Sequence, residues 1–401
     1  MKTLTGNRKT KDIQNIIVQY LIPAMLLIVF TRLFYLQISM PKEYHSDISH
    51  HIRIAAAGNG YSILYKSLEV ILQLAGNKYM IVIAFFEGLM AVLTIYPVAV
   101  WMRKRYQLER GLSFLAAEGL LFLSSIYIPV LQPCFYKLGI VTQPWHNITY
   151  IGMRLFAVLT MCFFSDILDE YQRKLAFRDW LKIALPLTIA TGIKPNFLLA
   201  FSWTLLLFLI ADAVKGRFRK KTLLQCIKMG TTVFPALIIL YLQSKVLYGG
   251  TGGSTGGEAS GIGVALVSSR FFSLGLKGTI LKLARGLLLA IIVAAYNIKK
   301  DRRKASKFEY ILYLTALLQV IVFYETGRRA NHGNFYWTLY ISGYLLYVRI
   351  IAGWIKNLRD INWQSVREKS YAIITSVLVA AHLVSGVCYF ILLNMGSHYG
   401  I

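Results

Sequence analysis

Long apolar stretches are the feature of this sequence that most constrains its fold. A helix needs about 20 apolar residues to cross a hydrocarbon core of ~30 Å, and the 401-residue chain provides such stretches repeatedly. The stretch 183–213 exceeds one crossing and contains Lys194 and Pro195, so we divide it at that point. The candidate segments are 13–36, 80–101, 111–128, 150–168, 183–193, 197–213, 226–247, 273–297, 308–325, 337–355 and 371–393.

These segments predict an all-α, polytopic transmembrane protein with about 10–11 membrane segments, forming one integral-membrane domain over residues 1–401. The hydrophobic content of 56% excludes a disordered chain and an ordinary soluble domain. In the first outer loop, 37–79, apolar residues recur at helical spacing, which predicts amphipathic surface helices. The Gly-rich outer loop 248–272 is typical of a flexible linker, with a lid over substrate as the alternative.

The distribution of basic residues predicts the orientation in the membrane. Lys and Arg number 44 against 18 Asp and Glu, a formal net charge of +26. Of these 44, 28 lie in short stretches at alternate span ends, which are expected on the cytoplasmic side. The amino terminus is therefore predicted inside and the carboxyl terminus outside, and the basic excess requires no nucleic acid partner. The stretches are 1–12, 102–110, 170–182, 215–228, 299–307 and 356–369.

The first polar cluster follows the first span and contains Asp47, His50 and His51. A carboxylate at the outer face is suited to act as a general base that takes a hydroxyl proton, and we assign Asp47 this catalytic role. The two histidines are candidates for substrate binding. A histidine metal site is the alternative, but the spacing matches no standard ligand set, so we expect no metal cofactor.

A second cluster, Trp145, His146 and Asn147, precedes the fourth predicted span. Trp at this depth is expected as an interfacial anchor, and it is also suited to stacking on a sugar ring. His146 and Asn147 are not explained by anchoring, so all three are candidate substrate-binding residues. Lys194, at the break in 183–213, joins them, because broken helices at membrane depth are tolerated where they line a cavity.

A third cluster lies between the spans 308–325 and 337–355 and contains Glu325, Arg328, Arg329, His332 and Asn334. Two adjacent arginines on the outer face oppose the orientation rule. Because arginine binds phosphate and carboxylate through two parallel hydrogen bonds, an anionic ligand is a natural reason for them. The alternative is an ion pair between Glu325 and one arginine. We expect the three clusters and Lys194 to meet in one outer cavity.

This layout resembles the GT-C class of integral-membrane glycosyltransferases, which use polyprenyl-phosphate-linked sugars. The resemblance rests on the many spans, the first-loop acid Asp47, the surface helices of that loop, the Lys194-Pro195-Asn196 break and the Arg-rich outer loop. It implies Asp47 as base and Arg328 and Arg329 at the lipid phosphate. The adjacent acid pair usual in that class is missing, since Ser46 and Ile48 flank Asp47.

The resemblance implies transfer of a sugar from a polyprenyl-phosphate donor to a glycan or lipid-linked acceptor at the extracytoplasmic face. We expect this protein in a bacterial cell membrane, in contact with lipid. The first alternative is a surface-polysaccharide polymerase or ligase acting on lipid-linked glycans. The second is a secondary transporter, which predicts paired ionisable groups near the midplane; in the sequence, Glu87, Glu118 and Glu309 have no evident partners. A non-enzymatic scaffold or lipid-binding subunit is a further possibility.

Overall fold

The computed structural model describes residues 13–44, 46–58, 60–130, 144–248, 261–265, 275–297, 304–327 and 333–396. Within these ranges the chain is almost entirely helical, which confirms the predicted all-α class. In chain order the helices are α1 Ile22–Ser39, α2 Pro41–Tyr44, α3 Ile48–Ala56, α4 Ile63–Ala75, α5 Tyr79–Leu93, α6 Ile95–Tyr106, α7 Arg110–Leu121, α8 Ile148–Leu168, α9 Phe177–Ile193, α10 Asn196–Lys215, α11 Lys220–Gly230, α12 Phe234–Tyr248, α13 Gly275–Asn297, α14 Lys304–Val322, α15 Tyr336–Arg359 and α16 Val366–Asn394.

Eight helical stretches among the described residues are long and apolar enough to cross a membrane, which confirms a polytopic membrane protein. The predicted segments near 111–128, 183–193 and 308–325 are helices too, namely α7, α9 and α14, but they are not among the eight. The eight stretches are Ile13–Ser39, Ile63–Tyr106, Ile148–Leu168, Asn196–Lys215, Lys220–Val246, Gly275–Asn297, Tyr336–Arg359 and Val366–Asn394.

The predicted surface helices of the first outer loop are α3 and α4. Ser62 begins α4 as its N-cap, because the Ser62 hydroxyl accepts a hydrogen bond from the Tyr65 amide. The apolar face of α4 buries Leu64 and Leu68. Ile63 packs so closely on the end of α9 that a Cβ at Gly192 would overlap it. This loop is therefore held against the transmembrane helices.

Helix α7 is shorter than the predicted span 111–128, because it ends at Leu121. From Leu123 to Ile128 the chain has no regular secondary structure. Its amides bond to later parts of the chain: Ser124 N–H donates to the His382 carbonyl at 3.3 Å, and Tyr127 N–H donates to the Ser385 hydroxyl at 3.0 Å. Non-helical backbone at membrane depth is stable when other protein groups satisfy it in this way.

Two short strands connect distant parts of the sequence. β1 (Gly261–Val264) pairs antiparallel with β2 (Phe323–Thr326), with Ile262 opposite Glu325. Within the predicted linker 248–272, residues 261–264 form this strand, and residues 249–260 and 266–272 lie outside the described residues. The sequence GIGV did not indicate a strand, because glycine ordinarily disfavours strands.

One end of the helices carries the basic segments that the sequence assigned to the cytoplasmic side, and we call it the basic end. Side chains from different helices meet there in ion pairs and hydrogen bonds. They join Lys104 to Asp166 (2.5 Å), Arg105 to Asp169 (2.9 Å), Lys304 to Asp212 (2.8 Å), and Arg359 to the Gln107 carbonyl (3.0 Å). The described parts of these stretches that the contacts join are thus neighbours in space.

Candidate functional site

Asp47 lies at the end of the helices opposite the basic end, directly before α3. Its backbone N–H donates to the carbonyl of His146 at 3.4 Å, which ties the first outer loop to the segment before α8. Because α3 begins at Ile48, the side chain one turn later returns to the same face. His51 Nε2 accordingly lies 3.5 Å from Asp47 Oδ2. The first two sequence clusters therefore meet at Asp47.

Asn147 connects Asp47 to helix α8 and to the break at Lys194. Its side-chain amide donates to the Asp47 carboxylate. Its Oδ1 accepts the Tyr150 N–H at 2.8 Å, which makes Asn147 the N-cap of α8. The same oxygen accepts the Thr149 hydroxyl at 2.7 Å and the Lys194 ammonium at 3.3 Å. One amide thus holds a carboxylate and a cation on its two sides.

Lys194 is the extended residue between α9 and α10, with φ −155° and ψ 120°. Its Nζ donates to Thr149 Oγ1 at 2.9 Å and lies 4.3 Å from the ring centroid of Trp337. An ammonium over an indole face is a favourable contact. The proline that follows, Pro195, stops α9 from continuing into α10. The break therefore places a half-buried cation beside Asn147.

The third cluster reaches the same region through its described members. Both carboxylate oxygens of Glu325 accept from the Asn334 side-chain amide at 2.9 Å. The Asn334 carbonyl in turn accepts from Asn196 at 2.7 Å, two residues after Lys194. Arg328, Arg329 and His332 lie outside the described residues, so their roles stay predictions. The ion pair suggested for Glu325 also stays a prediction.

The two candidate histidines of α3 differ in their surroundings. His51 Nδ1 lies 2.7 Å from the Tyr65 hydroxyl of α4, while its Nε2 faces Asp47. Both ring nitrogens are thereby oriented, as for a group that holds a carboxylate in place. His50 is exposed, and its ring contacts the edge of His51 at 5.9 Å between centroids. Across the described residues, no group of three or more His, Cys, Asp or Glu could hold a metal ion.

Trp145 does not face the site. Only 1% of it is exposed, and its ring packs 4.5 Å from Phe30 and 4.8 Å from the Arg154 guanidinium. Protein groups cover the ring, and the stacking of Trp145 on a sugar stays a prediction. The indole at the site belongs to Trp337, which contacts both Lys194 and His146. Its position three residues after Asn334 was the available signal, but we assigned it no role.

The charge of the site is set by burial and by its neighbours. Burial raises the pKa of Asp47, but His51, through its hydrogen bond and charge, and the charges of His146 and Lys194 bring that pKa below its ordinary value of 3.8. Burial lowers the pKa of His146 to about 4; the Asp47 carboxylate opposes this and Lys194 reinforces it. At neutral pH the site therefore contains an ionised Asp47 beside a neutral His146.

Within the described part of the chain, one carboxylate oxygen of Asp47 is not engaged in a hydrogen bond. Oδ2 receives Asn147 and faces His51, whereas Oδ1 is buried and has no hydrogen-bond partner among the described residues. The side chain as a whole is 30% exposed, but this exposure does not include Oδ1. An oriented carboxylate with one oxygen unengaged is a suitable proton acceptor.

Glu87 is a second carboxyl of this region that the sequence left unexplained. It is fully buried in α5, and neither carboxyl oxygen has a hydrogen-bond partner among the described residues. It is close enough to interact electrostatically with Asp47. Glu309, by contrast, has a partner that the sequence did not reveal, since Arg349 Nη1 lies 3.8 Å from its carboxylate.

Comparison with known proteins adds no family to this description. Neither the protein-family models nor the curated protein sequences contain a match to this chain.

Proposed function

We propose that this protein is an integral-membrane glycosyltransferase that moves a sugar from a polyprenyl-phosphate donor to an acceptor hydroxyl. The observation that carries the proposal is the partly exposed, ionised Asp47, oriented by Asn147 and His51, with Lys194 bonded to the same asparagine. A base beside a fixed cation is what attack by a hydroxyl and departure of a phosphate together require. The basic segments at the opposite end support a site at the extracytoplasmic face, with the amino terminus in the cytoplasm.

In this reaction the acceptor oxygen attacks the anomeric carbon while the bond from that carbon to the phosphate oxygen breaks. The Asp47 carboxylate takes the proton of the acceptor hydroxyl. The lipid phosphate leaves with the bonding electron pair, and its added negative charge is offset by Lys194 and by Arg328 and Arg329. No metal enters these steps. The polar groups of His146, Asn147 and Asn334 then have the task of orienting sugar hydroxyls.

The proposal is tested with Asp47→Asn, which keeps the shape of the side chain and removes the base. Membranes with the wild-type or variant protein are incubated with a panel of radiolabelled polyprenyl-phosphate hexoses and pentoses. We expect transfer to fall about 100-fold or more, with donor binding retained. The matched control is Glu69→Gln, an acid of α4 paired with Lys66 and distant from Asp47 in the loop. Full transfer by Asp47→Asn would refute the role of Asp47.

A polymerase or ligase acting on lipid-linked glycans remains the first alternative, and product length separates the two. Addition of one sugar gives a single new band, whereas a polymerase gives a ladder of long products. A secondary transporter is a second candidate, favoured by the buried Glu309–Arg349 pair, of which 3% and 5% is exposed. A transporter accumulates its substrate in sealed vesicles and forms no glycosidic bond.

A further inference from the structure

A groove lies between α7, α15 and α16, at the basic end and away from Asp47. Its volume is about 600 Å³. Helix α15 forms the floor with Ile351, Trp354, Ile355 and Leu358, which share one helix face at spacings of three and four residues. The walls come from α7, including Gly119, and from two residues of α16. Nearly all lining side chains are apolar.

The groove is closed at its inner end and open to the side. There α7 meets α16 so tightly that a Cβ at Gly386 would overlap the Phe122 carbonyl oxygen. Helix α7 has 12 residues and is therefore ~18 Å long, close to the thickness of one leaflet of a ~30 Å core. On the open side Leu112 and Leu115 are 43% and 48% exposed. The groove thus has the length of one lipid chain and opens toward the bilayer.

The mouth of the groove, at the basic end, has more basic than acidic residues near it. Arg359 and the acid Glu109 line it, and the exposed Arg110, Lys356 and Asp360 are sequence neighbours of lining residues. Asp360 is already engaged by Arg359 at 3.0 Å. Trp354 lies five residues before Arg359 on the same helix, the depth at which tryptophan marks a membrane interface. Phosphate is the membrane group that arginine binds best at this level.

We propose that this groove binds one acyl chain of an anionic phospholipid, with the phosphate at Arg110 and Arg359. Water finds few hydrogen-bond partners in an apolar groove. An empty groove leaves the side chains of its walls without van der Waals contacts. A lipid chain makes van der Waals contacts with the apolar walls, while basic residues at the mouth favour an anionic headgroup. The proposal does not rest on the glycosyltransferase assignment, because none of its residues belongs to the Asp47 site.

The test is native mass spectrometry of the purified protein with phosphatidylglycerol or phosphatidylcholine of equal chain length. Gly119→Phe fills the groove without a backbone clash, since even a Cβ at Gly119 stays 3.7 Å from Leu383. We expect wild type to retain phosphatidylglycerol in preference, and Gly119→Phe to retain at least tenfold less. The matched control is Ile374→Phe, on a 49% exposed face of α16 outside the groove, which should retain lipid as wild type does.

A second variant protects the test from a failure of Gly119→Phe to fold. The double substitution Arg110→Gln with Arg359→Gln leaves the core unchanged and should remove the preference for phosphatidylglycerol over phosphatidylcholine. Equal retention of the two lipids by wild type, or undiminished phosphatidylglycerol on Gly119→Phe, would overturn the proposal.

Discussion

At the scale of single residues, Asn147 decides how the site is arranged. Its amide nitrogen can only donate and its oxygen can only accept, so an anion on one side and a cation on the other fix its orientation. Asp47 and Lys194 occupy these two sides. The same oxygen accepts the N-cap hydrogen bond at the start of helix α8. The start of a membrane helix and the spacing between Asp47, the proposed base, and the Lys194 cation therefore depend on one side chain.

His146 makes the stability of the folded protein sensitive to mild acid. Its pKa in the folded state is about 4, below the ordinary 6.5, so between these values the unfolded chain binds a proton that the folded one refuses. Stability is therefore fully present above pH 6.5, and it falls as the pH is lowered toward 4. We expect the melting temperature to fall less over this range in His146→Gln than in wild type.

This expectation is measured by thermal unfolding of the detergent-purified protein at pH values from 7 to 4.5. His50→Gln is the control, because His50 is exposed on the neighbouring helix and its loss should leave the slope unchanged. Identical slopes for His146→Gln and wild type would contradict burial of a neutral His146.

At the scale of elements, the broken helices separate what the sequence predicts from what it does not. The break at Lys194 was predicted because Pro195 and a charged residue interrupt an apolar run. The end of α7 at Leu121 was not, because the following residues, Leu123–Ile128, are as apolar as a helix interior. Their non-helical form depends on hydrogen-bond partners near His382, which lie far along the chain. Local patterns carry no such information.

The site shows the same division. Four polar residues at helix ends were expected to converge, because they share one predicted face. They are in contact in the structure: Asp47, His146, Asn147 and Lys194. The direction of Trp145 was not predictable from the sequence. The Asn147 cap sets where α8 begins, and the turn before it rotates the indole into the core. Polarity predicts which end a residue occupies, and side-chain direction follows from packing.

The contact of α7 with α16 predicts a contrast between two glycines. Gly386→Ala places a methyl group on the Phe122 carbonyl oxygen, so a backbone must move, and we expect a clear loss of thermal stability of about 2 kcal/mol or more. Gly119→Ala meets only Leu383 at 3.7 Å and gains helix propensity, so its stability should be unchanged or slightly higher. Equal melting temperatures for the two variants would contradict this packing.

At the scale of the whole molecule, the two ends of the helices have different chemistry. One gathers the basic segments and their ion pairs, and the other gathers the Asp47 site. A membrane protein with this asymmetry is expected to insert with its basic end in the cytoplasm. The proposed glycosyltransferase reaction and the lipid groove then lie on opposite sides of the bilayer, and the helices between them provide the separation.

Cysteine labelling tests this orientation. In a background with the four native cysteines replaced, we introduce Lys66→Cys in α4 and Lys220→Cys in α11, both exposed. We expect a membrane-impermeant maleimide to label Lys66→Cys on intact cells and to label Lys220→Cys only after lysis. Labelling of Lys220→Cys alone on intact cells would show the reverse orientation and would move the Asp47 site to the cytoplasm.

The non-helical segment after α7, Leu123–Ile128, depends on parts of the chain that are synthesised much later. Its amides at Ser124, Ile126 and Tyr127 bond to groups of residues 382, 285 and 385, so more than 150 residues separate each donor from its acceptor. While a ribosome is still synthesising those later helices, this segment has no partner, and α7 is too short to cross the bilayer by itself. It must wait at the membrane interface or inside the insertion machinery. This segment therefore forms its native hydrogen bonds only after the last helix has been synthesised.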